Sequence, residues 1–191
     1  MEESMMESTS NVHDDLAYVQ RALSKHSFGQ SEYRITLVWA FVNLIGFSLY
    51  DVHMLAGGVF WMIALPVFGI GTGWWFERQK HDEGEIDKTQ GVLHAWHWTT
   101  IPIFLFFANT LFLSQGFSMP LAGQIVLLIV GLVYYMGGVH FWWGYKWAGV
   151  AIASGMLWLV LLDRFAWTLT GVLTFIVLAG VATVDRRRHA T

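Results

Sequence analysis

Hydrophobic and polar positions fall in long blocks along this chain rather than alternating within it. Six apolar runs stand out, at about 34–50, 54–76, 93–113, 121–143, 147–162 and 167–184. A helix needs about 20 apolar residues to cross the hydrocarbon of a bilayer, with about 17 as the lower limit. The pattern therefore predicts six transmembrane helices. The first and fifth runs sit near the limit, and Tyr33, Tyr50, Trp147 and Trp158 are placed to anchor their ends at the interfaces. Short connections after the first, third and fifth runs predict three consecutive helical hairpins in an all-α polytopic fold. Upstream, Leu16, Val19 and Leu23 recur at helical spacing, and Asp14 or Asp15 can cap the start. This predicts a short amphipathic helix near residues 14–25, lying on the membrane or the bundle, with a frayed linker as the alternative because a lone helix of this length is marginal in water.

Composition agrees with the pattern. Of 191 residues, 55% are hydrophobic and only 13% charged, about half the charge of an average soluble domain, and the mean hydropathy is +0.47. The expected organisation is a 1–33 N-terminal segment, a 34–184 six-helix membrane domain and a 185–191 basic tail. Residues 1–31 have no apolar core of signal-peptide length, so the first apolar run is expected to act as an uncleaved anchor.

Charge then orients the helices. Arg21, Lys25 and Arg34 precede the first run. Arg78, Lys80 and Lys88 lie between the second and third, Lys146 follows the fourth, and Arg186, Arg187 and Arg188 follow the sixth. Only Arg164 falls on the other side. The positive-inside rule places both termini in the cytoplasm, with the protein in a cell inner (plasma) membrane. The single basic run abuts a membrane helix, which argues against a nucleic-acid partner. Cysteine is absent, which excludes disulfides, thiolate metal sites, cysteine nucleophiles and c-type haem attachment.

Candidate chemistry gathers at one place. His94 lies as far before Phe117 as His140 lies after it, so a hairpin turning at Phe117 brings both to one depth. His97 is one turn from His94 on nearly the same face. Glu77 ends the second run at about the same level. His94, His97, His140 and Glu77 are thus candidate ligands for a metal, zinc being the simplest. His94 and His140 are candidate axial ligands of a b-type haem. Proton handling is a third chemistry, because imidazoles titrate near neutrality. Against all three stands an ordinary interfacial belt, since Trp74, Trp96, Trp98, Trp142 and Trp143 surround the same histidines. The His-x-x-His pair lacks the glutamate of zinc peptidases, so an enzyme is left open rather than indicated. Elsewhere, Asp51 and His53 are expected to be solvated in the first outer turn, a second metal site being the alternative. Pro66 and Pro102 are expected to kink their helices. Gly69, Gly71, Gly73, Gly131, Gly137 and Gly138 allow close helix contact, the last two marking a weak point near His140 as the alternative. No carboxylate lies in mid-run, which argues against an ion-coupled transporter.

Four segments together carry a resemblance. They are Asp-Leu-Ala-Tyr-Val at 15–19, Leu-Val-Trp-Ala at 37–40, Leu-His-Ala-Trp-His-Trp at 93–98 and Gly-Gly-Val-His at 137–140. In this order they resemble a group of small bacterial six-span membrane proteins of uncharacterised function. The resemblance implies the fold and transfers no catalytic residue. The leading functional reading is an accessory or regulatory membrane subunit that packs against a membrane-protein partner or a second copy of itself. A metal- or haem-binding protein on the histidines is the alternative, and a small-solute transporter the third.

Overall fold

A computed structural model describes residues 29–82, 88–116 and 118–190. The expected helix at 14–25 and the acidic residues 83–87 lie outside them. The described residues form six helices: α1 (Gly29–Val52), α2 (Met54–Asp82), α3 (Lys88–Gln115), α4 (Met119–His140), α5 (Gly144–Leu161) and α6 (Ala166–Ala190). Each apolar run falls on its own helix; the fourth and fifth runs continue past the ends of α4 and α5, while the other four helices outrun their apolar stretch at both ends or at one. α2 continues to Asp82, and α6 carries the basic segment as helix to Ala190.

The breaks are tight. Only His53 separates α1 from α2; its N–H bonds the Leu49 carbonyl and its own carbonyl accepts from Gly57. Gly116, with φ 65°, ends α3 in the left-handed conformation that glycine adopts without steric cost. Pro120 sits in the first turn of α4, where no backbone donor is lost. Pro66 and Pro102 lie inside α2 and α3, each of which continues across its proline as one helix.

The substantial helix contacts form a series: α2 on α1, α1 on α6, α6 on α5, α5 on α4, and α4 on α3. The most extensive are α4 with α5 and α1 with α6. Lipid tails are as apolar as leucine, so shape rather than water exclusion must hold such helices together. At α4–α5 the backbones nearly touch: a Cβ on Gly149 would lie 2.5 Å from the Gly131 carbonyl oxygen and from the Tyr135 nitrogen. At α5–α6, Gly155 abuts the buried Thr170. The core includes Ala40, Phe47, Leu127, Ala148, Ile152 and Leu178.

Five helical segments are long and apolar enough to cross a membrane: Tyr33–Val52, Met54–Trp75, Pro120–His140, Gly144–Leu161 and Ala166–Arg187. This marks the chain as a helical membrane protein. α3, where the sixth span is expected, is not among these segments. α3 is long, but His94, His97, the tryptophans between and after them, Thr99, Thr100 and Asn109 lower its hydropathy. Asp185 is buried, at the end of α6 rather than in mid-span. Beside it, Arg186 lies 5.4 Å over the ring of Tyr33 on α1.

Candidate functional site

The histidine region forms where α3 lies along α4. Its foundation is a polar and aromatic cluster in the core. Asn43 of α1 is buried; its amide donates to the Trp39 carbonyl at 2.7 Å and to the Tyr134 hydroxyl of α4 at 3.4 Å. Against Tyr134 stand Trp98 at 5.0 Å and Tyr145 at 6.0 Å between ring centres, both edge to face. Trp98 also meets Tyr145 at 5.2 Å, and Trp142 meets Tyr145 at 5.0 Å. Edge-to-face pairs of this kind gain about 0.5–1.5 kcal/mol each beyond area burial.

Trp98 in turn holds His94. Its indole N–H donates to Nε2 of His94 at 2.7 Å. An acceptor nitrogen carries no proton, so His94 is the neutral tautomer protonated on Nδ1. Its ring stands edge-on to Phe141 at 4.8 Å. His97 faces the next helix: Nε2 lies 3.0 Å from the Val133 carbonyl oxygen. A carbonyl only accepts, so Nε2 of His97 carries the proton. Gly137 makes this approach possible, since a Cβ there would lie 2.9 Å from the same nitrogen. Gly138 similarly admits the backbone of Lys146. Both glycines are close approaches between elements, and neither marks a weak point in α4.

His140 ends α4, exposed, with its ring 6.3 Å from Phe141. The rings of His94, His97 and His140 thus each lie within 6.3 Å of the ring of Phe141. Their ring nitrogens do not form a ligand set. Nε2 of His94 is held by Trp98 and Nε2 of His97 by Val133. Among the described residues no three His, Cys, Asp or Glu side chains are placed to hold a metal ion. The expected metal set of His94, His97 and His140 is thus not assembled; the Glu77 side chain lies outside the described residues. Of the expected haem pair, His140 lines an open-sided cleft and Nε2 of His94 accepts from Trp98.

What the helices do enclose is an open-sided cleft of about 530 Å³, lined by Leu93, Trp96, His97, Thr100, His140 and Phe141. Sequence reasoning misses Thr100 and Phe141. The signal for Thr100 is its position one turn beyond His97, on the same helix face. Phe141 could be found only by knowing that α4 stops one residue before it.

A second correction lies at the other end of the bundle. Asp51 is half-buried, and its Oδ2 accepts the backbone N–H of Thr168 at 2.6 Å, in the first turn of α6. It was expected to be solvated; instead it caps a helix that follows more than a hundred residues later. Gly69, Gly71 and Gly73, expected at a helix contact, border open space: a Cβ on any of them would have no neighbour within 4 Å.

Comparison of the chain with protein-family models, with curated proteins and with solved structures finds no match.

Proposed function

We propose that this chain is a six-span bacterial inner-membrane protein, with cytoplasmic termini, that works as an accessory or regulatory subunit by packing against other membrane proteins. The observation that carries this reading is the state of α2. One third of the apolar window is buried in each of the other four candidate spans, against 11% in α2. Its glycines at 69, 71 and 73 leave its backbone open, and Trp74 and Trp75 beyond them are exposed. Small residues on a membrane helix admit the close approach of another helix. The short links and the contacts between consecutive helices support three hairpins, with α3 as the sixth span beside α4. The motifs at 93–98 and 137–140 support the likeness to small bacterial six-span proteins. The bond from His97 to the Val133 carbonyl of α4 supports a helix-docking role for that residue.

Photo-cross-linking from Gly71 in the native membrane tests the reading. It predicts a discrete protein adduct from Gly71, none from the exposed Val160 of α5, and loss of the Gly71 adduct when Gly69 and Gly73 are replaced by leucine. Lipid adducts alone from both sites would remove the subunit reading.

A further inference from the structure

The cleft between α3 and α4 has a polarity that selects its occupant. The Nε2–H of His97 is committed to the Val133 carbonyl, and the Nε2–Cδ2 edge of the ring is the one turned to Gly137. The opposite edge carries Nδ1, which presents a lone pair when the ring is neutral. One turn on, the Thr100 hydroxyl donates to the His97 carbonyl, leaving its oxygen lone pairs to accept. Both oriented polar groups on the α3 wall therefore ask for a hydrogen-bond donor. Against a neutral His97 and the Thr100 oxygen, a phosphodiester or carboxylate group would stand lone pair to lone pair. The remaining walls are flat and apolar: the rings of Trp96 and Phe141 and the side chain of Leu93. The volume, about 530 Å³, lies in the range of sites for single small molecules.

Beyond the cleft the surface continues in one direction. Trp96, Phe104, Phe107 and Leu111 are all more than half exposed and recur at helical spacing along one side of α3. At 1.5 Å per residue this strip runs roughly 22 Å from Trp96 to Leu111. A head site with two acceptor groups on a mainly apolar wall thus opens onto a long apolar strip.

We propose that this cleft binds a membrane-soluble quinol. Its aromatic head lies between Trp96 and Phe141, a ring hydroxyl donates to Nδ1 of His97 and to the Thr100 oxygen, and the apolar tail follows Phe104, Phe107 and Leu111. His140 closes the outer side of the head site. A quinone of the same skeleton has only acceptor oxygens and does not match the α3 wall. Gly137 is a positioning residue, because it lets His97 bind Val133 and so sets which nitrogen faces outward. The proposal concerns binding alone, and it stands whether or not the protein is a subunit of a larger assembly.

The test uses the full chain, labelled with ¹⁵N-histidine, in phosphatidylcholine nanodiscs. A decyl-tailed benzoquinol held reduced under argon is compared with its quinone and with its dimethyl ether. The His97 resonances are identified by their loss in His97→Gln. The quinol should shift the His97 Nδ1 signal saturably, with both other compounds binding at least ten-fold more weakly. Thr100→Val should weaken quinol binding roughly five- to ten-fold, the size of one hydrogen bond. Leu93→Trp, at an exposed position on the cleft wall, should abolish binding while the protein stays folded and monodisperse. Equal response to all three compounds overturns the proposal. So does a quinol response that survives both Thr100→Val and Leu93→Trp.

Discussion

Trp98 donates its indole N–H to Nε2 of His94 across 2.7 Å, one turn back on the same helix. The bond holds an imidazole in one tautomer at the edge of a membrane bundle. It predicts that ¹⁵N spectra show His94 protonated on Nδ1 and bare on Nε2 near neutral pH. Trp98→Phe keeps a ring against Tyr134 and Tyr145 but removes the donor, and should shift His94 toward the other tautomer. An unchanged His94 spectrum in Trp98→Phe would mean that the bond does not set the tautomer.

The close contact of α4 with α5 predicts a contrast between glycines. At Gly149 a methyl group would press on the Gly131 carbonyl and the Tyr135 backbone, and neither can move without shifting a helix. Gly149→Ala should destabilise the protein by about 1–3 kcal/mol, the usual cost of overpacking. Gly71→Ala meets open space and should be neutral or stabilising by up to about 1 kcal/mol, because alanine is the better helix former. Unfolding midpoints in mixed micelles separate the two. A Gly149→Ala as stable as Gly71→Ala would refute the close approach.

These cases show what the sequence made legible. The apolar runs located all six helices, since burial in lipid demands long uninterrupted stretches. Their ends were less visible: a helix such as α2 continues through Glu77 to Asp82 on backbone bonds that leave no hydropathy signal. The common level of His94 and His140 followed from counting residues about Phe117. Helix rotation did not follow, so neither the Trp98 bond nor the Val133 bond could be foreseen, and three imidazoles read as a ligand set are divided among a tryptophan, a carbonyl and an open cleft. The pairing of α1 with α6 joins the two ends of the chain, and no local pattern announces it.

That pairing yields a prediction at Asp51. Its carboxylate accepts the Thr168 N–H at the start of α6, one of the donors a helix cannot satisfy internally. Asp51→Ala should cost about 1 kcal/mol, within the 0.5–2 kcal/mol of lost helix caps, and Asp51→Asn should retain part of it. Hydrogen exchange supplies the local readout: protection at Thr168 should fall in Asp51→Ala and less so in Asp51→Asn. Equal protection in all three proteins would dissociate Asp51 from the cap.

The last prediction concerns whether α3 crosses the membrane. Hydropathy scores treat each polar side chain as if bare, yet those of α3 are largely bonded within the protein. Thr99 and Thr100 bond carbonyls of their own helix, as do Asn109, Thr110 and Ser114; Trp98 bonds His94, and His97 bonds Val133. Pairing of this kind removes much of the cost of carrying polar groups into hydrocarbon. The helix has 28 residues, so it is roughly 42 Å long at 1.5 Å per residue, more than the ~30 Å of a hydrocarbon core. Because the chain has no cysteine, single cysteines at Thr89 and Gln115 can be labelled without background. A membrane-impermeant maleimide should reach them from opposite sides. Labelling from the same side would make α3 a helix lying on the surface against α4, with five spans and the two termini on opposite faces.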